Sequence, residues 1–84
     1  MKEITVQDCV SLQEKFTRYT ETAEQHQFPL LFMVDIRLRA SVEAVVRAGR
    51  VENQKEARAM FRVVLRVIGE DFSEYEEVQN AETR

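Results

Sequence analysis

The fold of this chain is decided by residues 29–48, which read PLLFMVDIRLRASVEAVVRA. Within it, residues 34–39 alternate apolar and polar side chains, a pattern typical of a half-buried β-strand. Apolar side chains also recur across the same segment, and beyond it, at the spacing of one helix face. That helical stripe consists of Leu31, Val34, Leu38, Val42 and Val45.

The charged residues of this segment favour the helix over the strand. They are spaced by four and alternate in sign: Asp35, Arg39, Glu43 and Arg47. On a helix each neighbouring pair attracts by about 0.2–0.5 kcal/mol, whereas a strand that ends at residue 39 gains nothing from this spacing. Pro29 suits the first helical position, where its missing N–H is not needed, and Gly49 suits the residue after a helix end. We therefore predict a helix over residues 29–48.

A second helix is predicted over residues 5–25. Thr5 is a suitable N-cap, and Asp8 places negative charge on the first turn. Ile4 and Cys9 then stand where a hydrophobic staple brackets the helix start. The apolar stripe that follows has helical spacing and consists of Cys9, Leu12, Phe16, Tyr19 and Ala23.

A third helix is predicted over residues 53–68, where Asn53 and Glu56 form a capping pair. Its apolar face consists of Ala57, Met60, Phe61, Val64, Leu65 and Ile68, and Gly69 follows. A second capping pattern at Ser73 allows a short fourth helix to about Asn80.

The predicted fold is thus all-α: an up-down-up bundle of three helices with a possible short fourth one at the C-terminus. The chain has 84 residues, of which 44% are hydrophobic, with two glycines and one proline, so a turn-rich β fold is disfavoured. We assign residues 1–80 to a single helical domain and residues 81–84 to a frayed acidic end.

Most catalytic and metal-binding classes are disfavoured because the chain has one cysteine, Cys9, and one histidine, His26. A disulfide scaffold and a His-based zinc site each need more of these residues, and a lone thiol suits a reducing cytoplasm. Cys9 is expected in the core, and His26 in a connection without a catalytic partner. We expect no enzyme activity, no cofactor, no metal and no membrane association.

Surplus apolar residues on the second predicted helix are the first candidate binding feature. Phe32, Met33 and Ile36 lie outside the arc of its core stripe, and so does Val63 on the third helix. One interpretation is that the second helix is central and is either buried between the other two or covered by the aromatic residues of the C-terminal tail. The other is a surface for dimerisation or for a partner protein, because small monomers rarely expose large apolar patches.

The second candidate feature is a basic row on the third helix, which consists of Lys55, Arg58, Arg62 and Arg66. Residues 31–69 hold eight basic and four acidic side chains, whereas residues 70–84 hold one basic and six acidic. The row is therefore predicted to contact an anion or a partner, to pair with the acidic tail, or to be a solvated surface. DNA is a weaker expectation because the whole chain is acidic, with a net charge of −3.

If residues 33–39 were a strand, residues 32–68 would resemble a ribbon-helix-helix repressor. That resemblance implies a β-ribbon shared between two chains and inserted in the major groove of DNA. The side chains that would read the groove are then Asp35, Arg37 and Arg39.

The sequence leads to two functional predictions. The first is a small, non-enzymatic helical regulator, inhibitor or adaptor, of the kind found in bacterial and phage genomes. It would bind another protein and form a homodimer in the cytoplasm. The alternative is a dimeric DNA-binding transcriptional regulator of the ribbon-helix-helix type.

Overall fold

A computed structural model describes residues 2–22 and 28–75 of the chain. Within these residues the chain forms three α-helices and no strand: α1 (Val6–Thr22), α2 (Phe28–Ala48) and α3 (Gln54–Ile68). The predicted all-α bundle of three helices is confirmed. The possible fourth helix is reduced to one 3-10 turn at Ser73–Tyr75, and its predicted continuation to Asn80 lies outside the described residues, as do residues 81–84.

Residues 33–39 are helical, so the ribbon-helix-helix interpretation of residues 32–68 is wrong for this chain. The spacing of charges decides against the strand, as expected from the sequence. Arg39 Nε lies 2.8 Å from Asp35 Oδ2, and an Arg47 nitrogen lies 3.6 Å from Glu43 Oε2. Both are pairs one helical turn apart, a contact that an extended strand does not form.

The start of α1 is held by a reciprocal capping box. Thr5 N donates to Asp8 Oδ2 at 2.9 Å, and Asp8 N donates to Thr5 Oγ1 at 3.1 Å. Ile4 and Cys9, the predicted staple, are both buried in the core. The helix is described as far as Thr22, and the remainder of the predicted segment lies outside the described residues.

The ends of α3 also follow from local sequence. Asn53 accepts a hydrogen bond from Glu56 N at 3.0 Å, and this satisfies a first-turn donor that lacks a helical partner. Gly69 has φ +77°, a left-handed conformation that glycine adopts without steric penalty. Glu70 N then donates to Leu65 O at 2.8 Å, which completes a Schellman-type ending.

Helix α1, rather than α2, is the central element of the described fold. It packs against both other helices, whereas the backbones of α2 and α3 approach each other little. The interpretation in which α2 is buried between its neighbours is therefore wrong. The buried apolar core draws on all three helices and on the N-terminal segment: Ile4, Cys9, Leu12, Phe16, Leu31, Leu38, Val42, Phe61, Val64 and Leu65.

The N-terminal segment is tied to the start of α3 by one side chain. Gln54 Oε1 accepts from Ile4 N at 2.9 Å, and Gln54 Nε2 donates to Ile4 O at 2.8 Å. The amide thus satisfies both backbone groups of a residue whose side chain is 1% exposed. This contact holds the residue before α1 against α3.

We predict that Gln54→Ala destabilises the fold by about 1–3 kcal/mol, because it leaves two partly buried backbone groups without partners. The measurement is the free energy of unfolding in urea. Gln7→Ala is the matched control: Gln7 bonds only an exposed serine side chain, so its loss should cost within about 0.5 kcal/mol. Equal effects of the two variants would show that the Gln54 contact has no special role.

Candidate functional site

A groove of about 770 Å³ lies between α2 and α3. Its walls are α2, the connection at residues 49–53 and the first turns of α3, and no described residue of α1 lines it. The helix α1 therefore covers the core side of α2 and α3, while the groove stays open. Its lining includes five alanines, Ala40, Ala44, Ala48, Ala57 and Ala59.

Large apolar side chains stand at the lip of the groove. Leu30 and Met33 of α2 are each 61% exposed, and Val63 of α3 is 51% exposed. Apolar surface in one concave site is uncommon on a small monomer and marks binding sites more often than isolated exposed residues do. The groove is therefore the leading candidate for a binding surface.

Four charged residues line the groove, two basic and two acidic: Arg37, Arg50, Glu52 and Glu56. Arg50 and Glu52 lie 3.7 Å apart and neutralise each other. Neither Arg37 nor Glu56 forms an ion pair with any residue in the described ranges. The groove consequently has no excess of either charge, but it has one unpaired side chain of each sign.

The predicted apolar interface set divides between two sides of α2. Met33 lines the groove, whereas Phe32 and Ile36 do not, although they are 53% and 51% exposed. Leu30 and the alanines of the lining were not predicted as site residues. The recurrence of alanine at every fourth position, residues 40, 44 and 48, was the available signal for the alanines.

The basic row predicted on α3 is interrupted at its centre. Arg58 is 7% exposed, and its Nε donates to the Tyr75 carbonyl at 3.1 Å. The prediction that Arg58 is a surface anion contact is therefore corrected: the chain after α3 folds back and buries it. Lys55, Arg62 and Arg66 remain exposed, with the Arg62 guanidinium 5.0 Å from the centre of the Phe72 ring.

The acidic residues after α3 pair with lysines elsewhere rather than with the basic row. Lys15 Nζ lies 2.8 Å from Glu70 Oε1, and Lys2 Nζ lies 2.9 Å from Glu74 Oε1. Tyr75 packs edge-on against Phe61 with ring centres 4.9 Å apart, and burial raises the pKa of its phenol. This segment is therefore docked against α1 and α3 as far as it is described.

The chain has one cysteine and one histidine, two side chain types that often serve as nucleophile, base or metal ligand. Cys9 is buried, and burial together with the nearby Asp8 charge raises the pKa of its thiol. His26 lies outside the described residues. Within the described ranges, no three His, Cys, Asp or Glu side chains are grouped as metal ligands. The described helices also include none that combines the length and the apolar character needed to cross a bilayer.

Comparison with known protein families, curated proteins and solved structures gives no match for this chain.

We predict that Arg58→Ala lowers the free energy of unfolding by about 1.5–3 kcal/mol, because a buried charged donor to a carbonyl is lost. Arg66→Ala, an exposed change on the same helix, should stay within about 0.5 kcal/mol. Urea unfolding of both variants checks this. Equal free energies of unfolding for the two variants would show that Arg58 behaves as an exposed residue of the basic row.

We also predict that Cys9 reacts slowly with an aromatic disulfide reagent in the folded chain. An ordinary thiol with a pKa of about 8.5 is half ionised at pH 8.5, and burial raises the pKa of Cys9, so a smaller fraction of its thiol is ionised in the folded chain. Because the unfolded chain ionises first, the contribution of Cys9 to stability is fully present at lower pH and is lost as pH rises past the ordinary pKa of a thiol. The labelling rate in buffer and in urea is the measurement, and equal rates would contradict the buried position.

Proposed function

We propose that this protein is a small, non-enzymatic helical interaction module whose binding surface is the groove between α2 and α3. In this proposal it acts in the cytoplasm, in a bacterial or phage setting, as a regulator, inhibitor or adaptor. The observation that carries the proposal is the open apolar groove with exposed Leu30, Met33 and Val63 at its lip.

The shape of the groove suits an α-helix as the bound element. Ala40, Ala44 and Ala48 form a row at every fourth residue, and such rows make the ridges and grooves by which helices pack. Small side chains in that row allow a second helix axis to come within about 8–10 Å. An amphipathic helix that lies in an apolar groove, anchored by a few side chains, is a recurrent mode of protein recognition.

The chemistry of the lining supports binding rather than catalysis. Among its charged groups, Arg50 and Glu52 face each other, and the lining contains no histidine or cysteine. General acid–base and nucleophilic mechanisms rely on a placed group with a tuned pKa. The lining of the groove offers apolar contact area and a polar rim, as binding interfaces do.

DNA binding is the weaker candidate. Its predicted β-ribbon is helical, and Arg58 is committed to the Tyr75 carbonyl. The exposed residues of the row, Lys55, Arg62 and Arg66, are three cations on one helix, and no described feature adds a base-reading element to them.

We predict that Met33→Glu abolishes capture of the protein partner, because it places a charge at the lip of an apolar groove. Met33 is 61% exposed, so the folded chain itself should tolerate the change. The measurement is affinity capture with purified tagged protein from the host proteome. The captured polypeptide is then identified and titrated by calorimetry.

Ile36→Glu is the matched control, since it makes the same chemical change on the same helix outside the groove. Ile36 is 51% exposed, so the two variants should have similar helix content by circular dichroism. Loss of binding with Met33→Glu alone supports the groove. Loss of binding with Ile36→Glu alone would show that the binding surface is the outer side of α2 and would contradict this assignment.

A further inference from the structure

We propose that the surface beneath residues 70–75, here called the strap, is a second binding site that the strap itself covers. Its partner is an acidic peptide segment of another protein, with two carboxylates four residues apart and an aromatic side chain directly after the second. The strap has this pattern at Glu70, Glu74 and Tyr75. It is therefore an autoinhibitory contact that the partner replaces. The site shares no lining residue with the groove between α2 and α3.

Two lysines from separate parts of the chain hold the carboxylates of the strap. Lys15 Nζ of α1 lies 2.8 Å from Glu70 Oε1, and Lys2 Nζ lies 2.9 Å from Glu74 Oε1. Asp8 also faces this surface, 3.8 Å from Lys2 Nζ, but its carboxylate accepts a hydrogen bond in the capping box of α1. The two lysines thus select a segment with two acids at the spacing found in the strap.

Between the lysines, the surface accepts an aromatic ring and a backbone carbonyl. The Tyr75 ring packs edge-on against Phe61, and Lys2 Nζ lies 5.2 Å from the centre of the same ring, a cation–π contact. Arg58 Nε donates to the Tyr75 carbonyl at 3.1 Å. Because every peptide carries backbone carbonyls, a segment of another protein can accept the same hydrogen bond. The exchange therefore leaves no buried charge without a partner, and these contacts favour a polypeptide over other anions.

The contacts that hold the strap are of a kind that exchanges readily. The four side chains of its two ion pairs are between 43% and 62% exposed, and exposed pairs of this type contribute little to stability. Among the described residues, the buried core includes none from the strap. The regular structure of the strap is limited to the 3-10 turn at Ser73–Tyr75.

The strap also spans a space that it does not fill. About 120 Å³ remains between the strap, α1 and α3, which is room for several water molecules. Core side chains of both helices, Leu12, Phe61 and Leu65, form part of its lining. A peptide that pairs with the same lysines and also fills this space makes contacts that the strap lacks. This difference allows a partner to replace a segment of the same chain.

The test measures binding of a labelled peptide with the sequence of residues 70–75, EDFSEY, to the full-length chain by fluorescence anisotropy. The wild type should bind it weakly, because its own strap competes at a high effective concentration. Glu70→Gln with Glu74→Gln, the opened variant, should bind it at least about threefold more tightly, because a larger fraction of sites is uncovered. Glu43→Gln with Glu52→Gln has the same net charge and should bind like the wild type.

Reversal of the two lysines tests the site itself. Lys2→Glu with Lys15→Glu, introduced into the opened variant, should lower the affinity for the peptide at least about tenfold, because repulsion replaces attraction at both carboxylates. Arg47→Glu with Arg66→Glu in the same background gives the same net charge away from the strap, and the affinity should stay within about threefold. A scrambled peptide of the same composition should bind the opened variant at least about tenfold more weakly. Circular dichroism verifies that every variant is folded.

Each contrary outcome overturns a definite part of this proposal. An opened variant that does not bind the peptide overturns the site, and equal affinities of the wild type and the opened variant overturn the autoinhibition. Equal weakening by the lysine and arginine reversals would show unspecific charge attraction and overturn the site as well. A wild-type dimer that the opened variant loses would show that the strap of a second copy is the occupant, against a foreign partner. Met33→Glu should leave peptide binding unchanged, so the groove and this site are tested separately.

Discussion

The packing of α1 against both other helices is the constraint on which the rest of this structure depends. Phe16, at the middle of α1, is fully buried, and the core residues of α2 and α3 surround the same helix. Each of α2 and α3 therefore has its main apolar face covered by α1. Because their backbones approach each other little, the space between them is left to be filled from outside. The groove exists because α2 and α3 both pack against α1 but not closely against each other.

The contacts at the two chain ends protect this arrangement. Gln54 joins the residue before α1 to the start of α3, and the segment after α3 returns to place Tyr75 against Phe61. Both contacts lie on the side of α3 that faces α1, away from the groove. The same return buries Arg58, so that a cation of the predicted surface row becomes part of the structural framework. The apolar side chains that stay exposed are Leu30, Met33 and Val63 at the groove and Phe32, Ile36 and Val46 elsewhere on α2.

These features combine a well-satisfied core with a partly apolar surface. Its buried groups are apolar or satisfied: no buried side-chain nitrogen or oxygen among the described residues lacks a hydrogen-bond partner. Its exposed apolar residues are gathered on α2 and on one edge of α3. Stability of the single chain and exposure of an interface oppose each other in a domain of this size. In the proposed function, binding at the groove would cover part of this exposed apolar surface without enlarging the chain.

Local sequence determined the secondary structure of this protein. The capping residues Thr5 and Asn53, the left-handed Gly69 and the ion pair of Asp35 with Arg39 act over three to five residues, so their effect is read from spacing alone. The exposure of Met33 outside the core stripe follows from the same helical period. The tertiary structure decided the rest, namely that α1 is central, that Phe32 and Ile36 turn away from the groove, and that Arg58 is buried. The helical period fixes only the directions of side chains around one helix axis, whereas these features depend on how the helices pack against one another. The burial of Arg58 also depends on the Tyr75 carbonyl, which lies seventeen residues further along the chain.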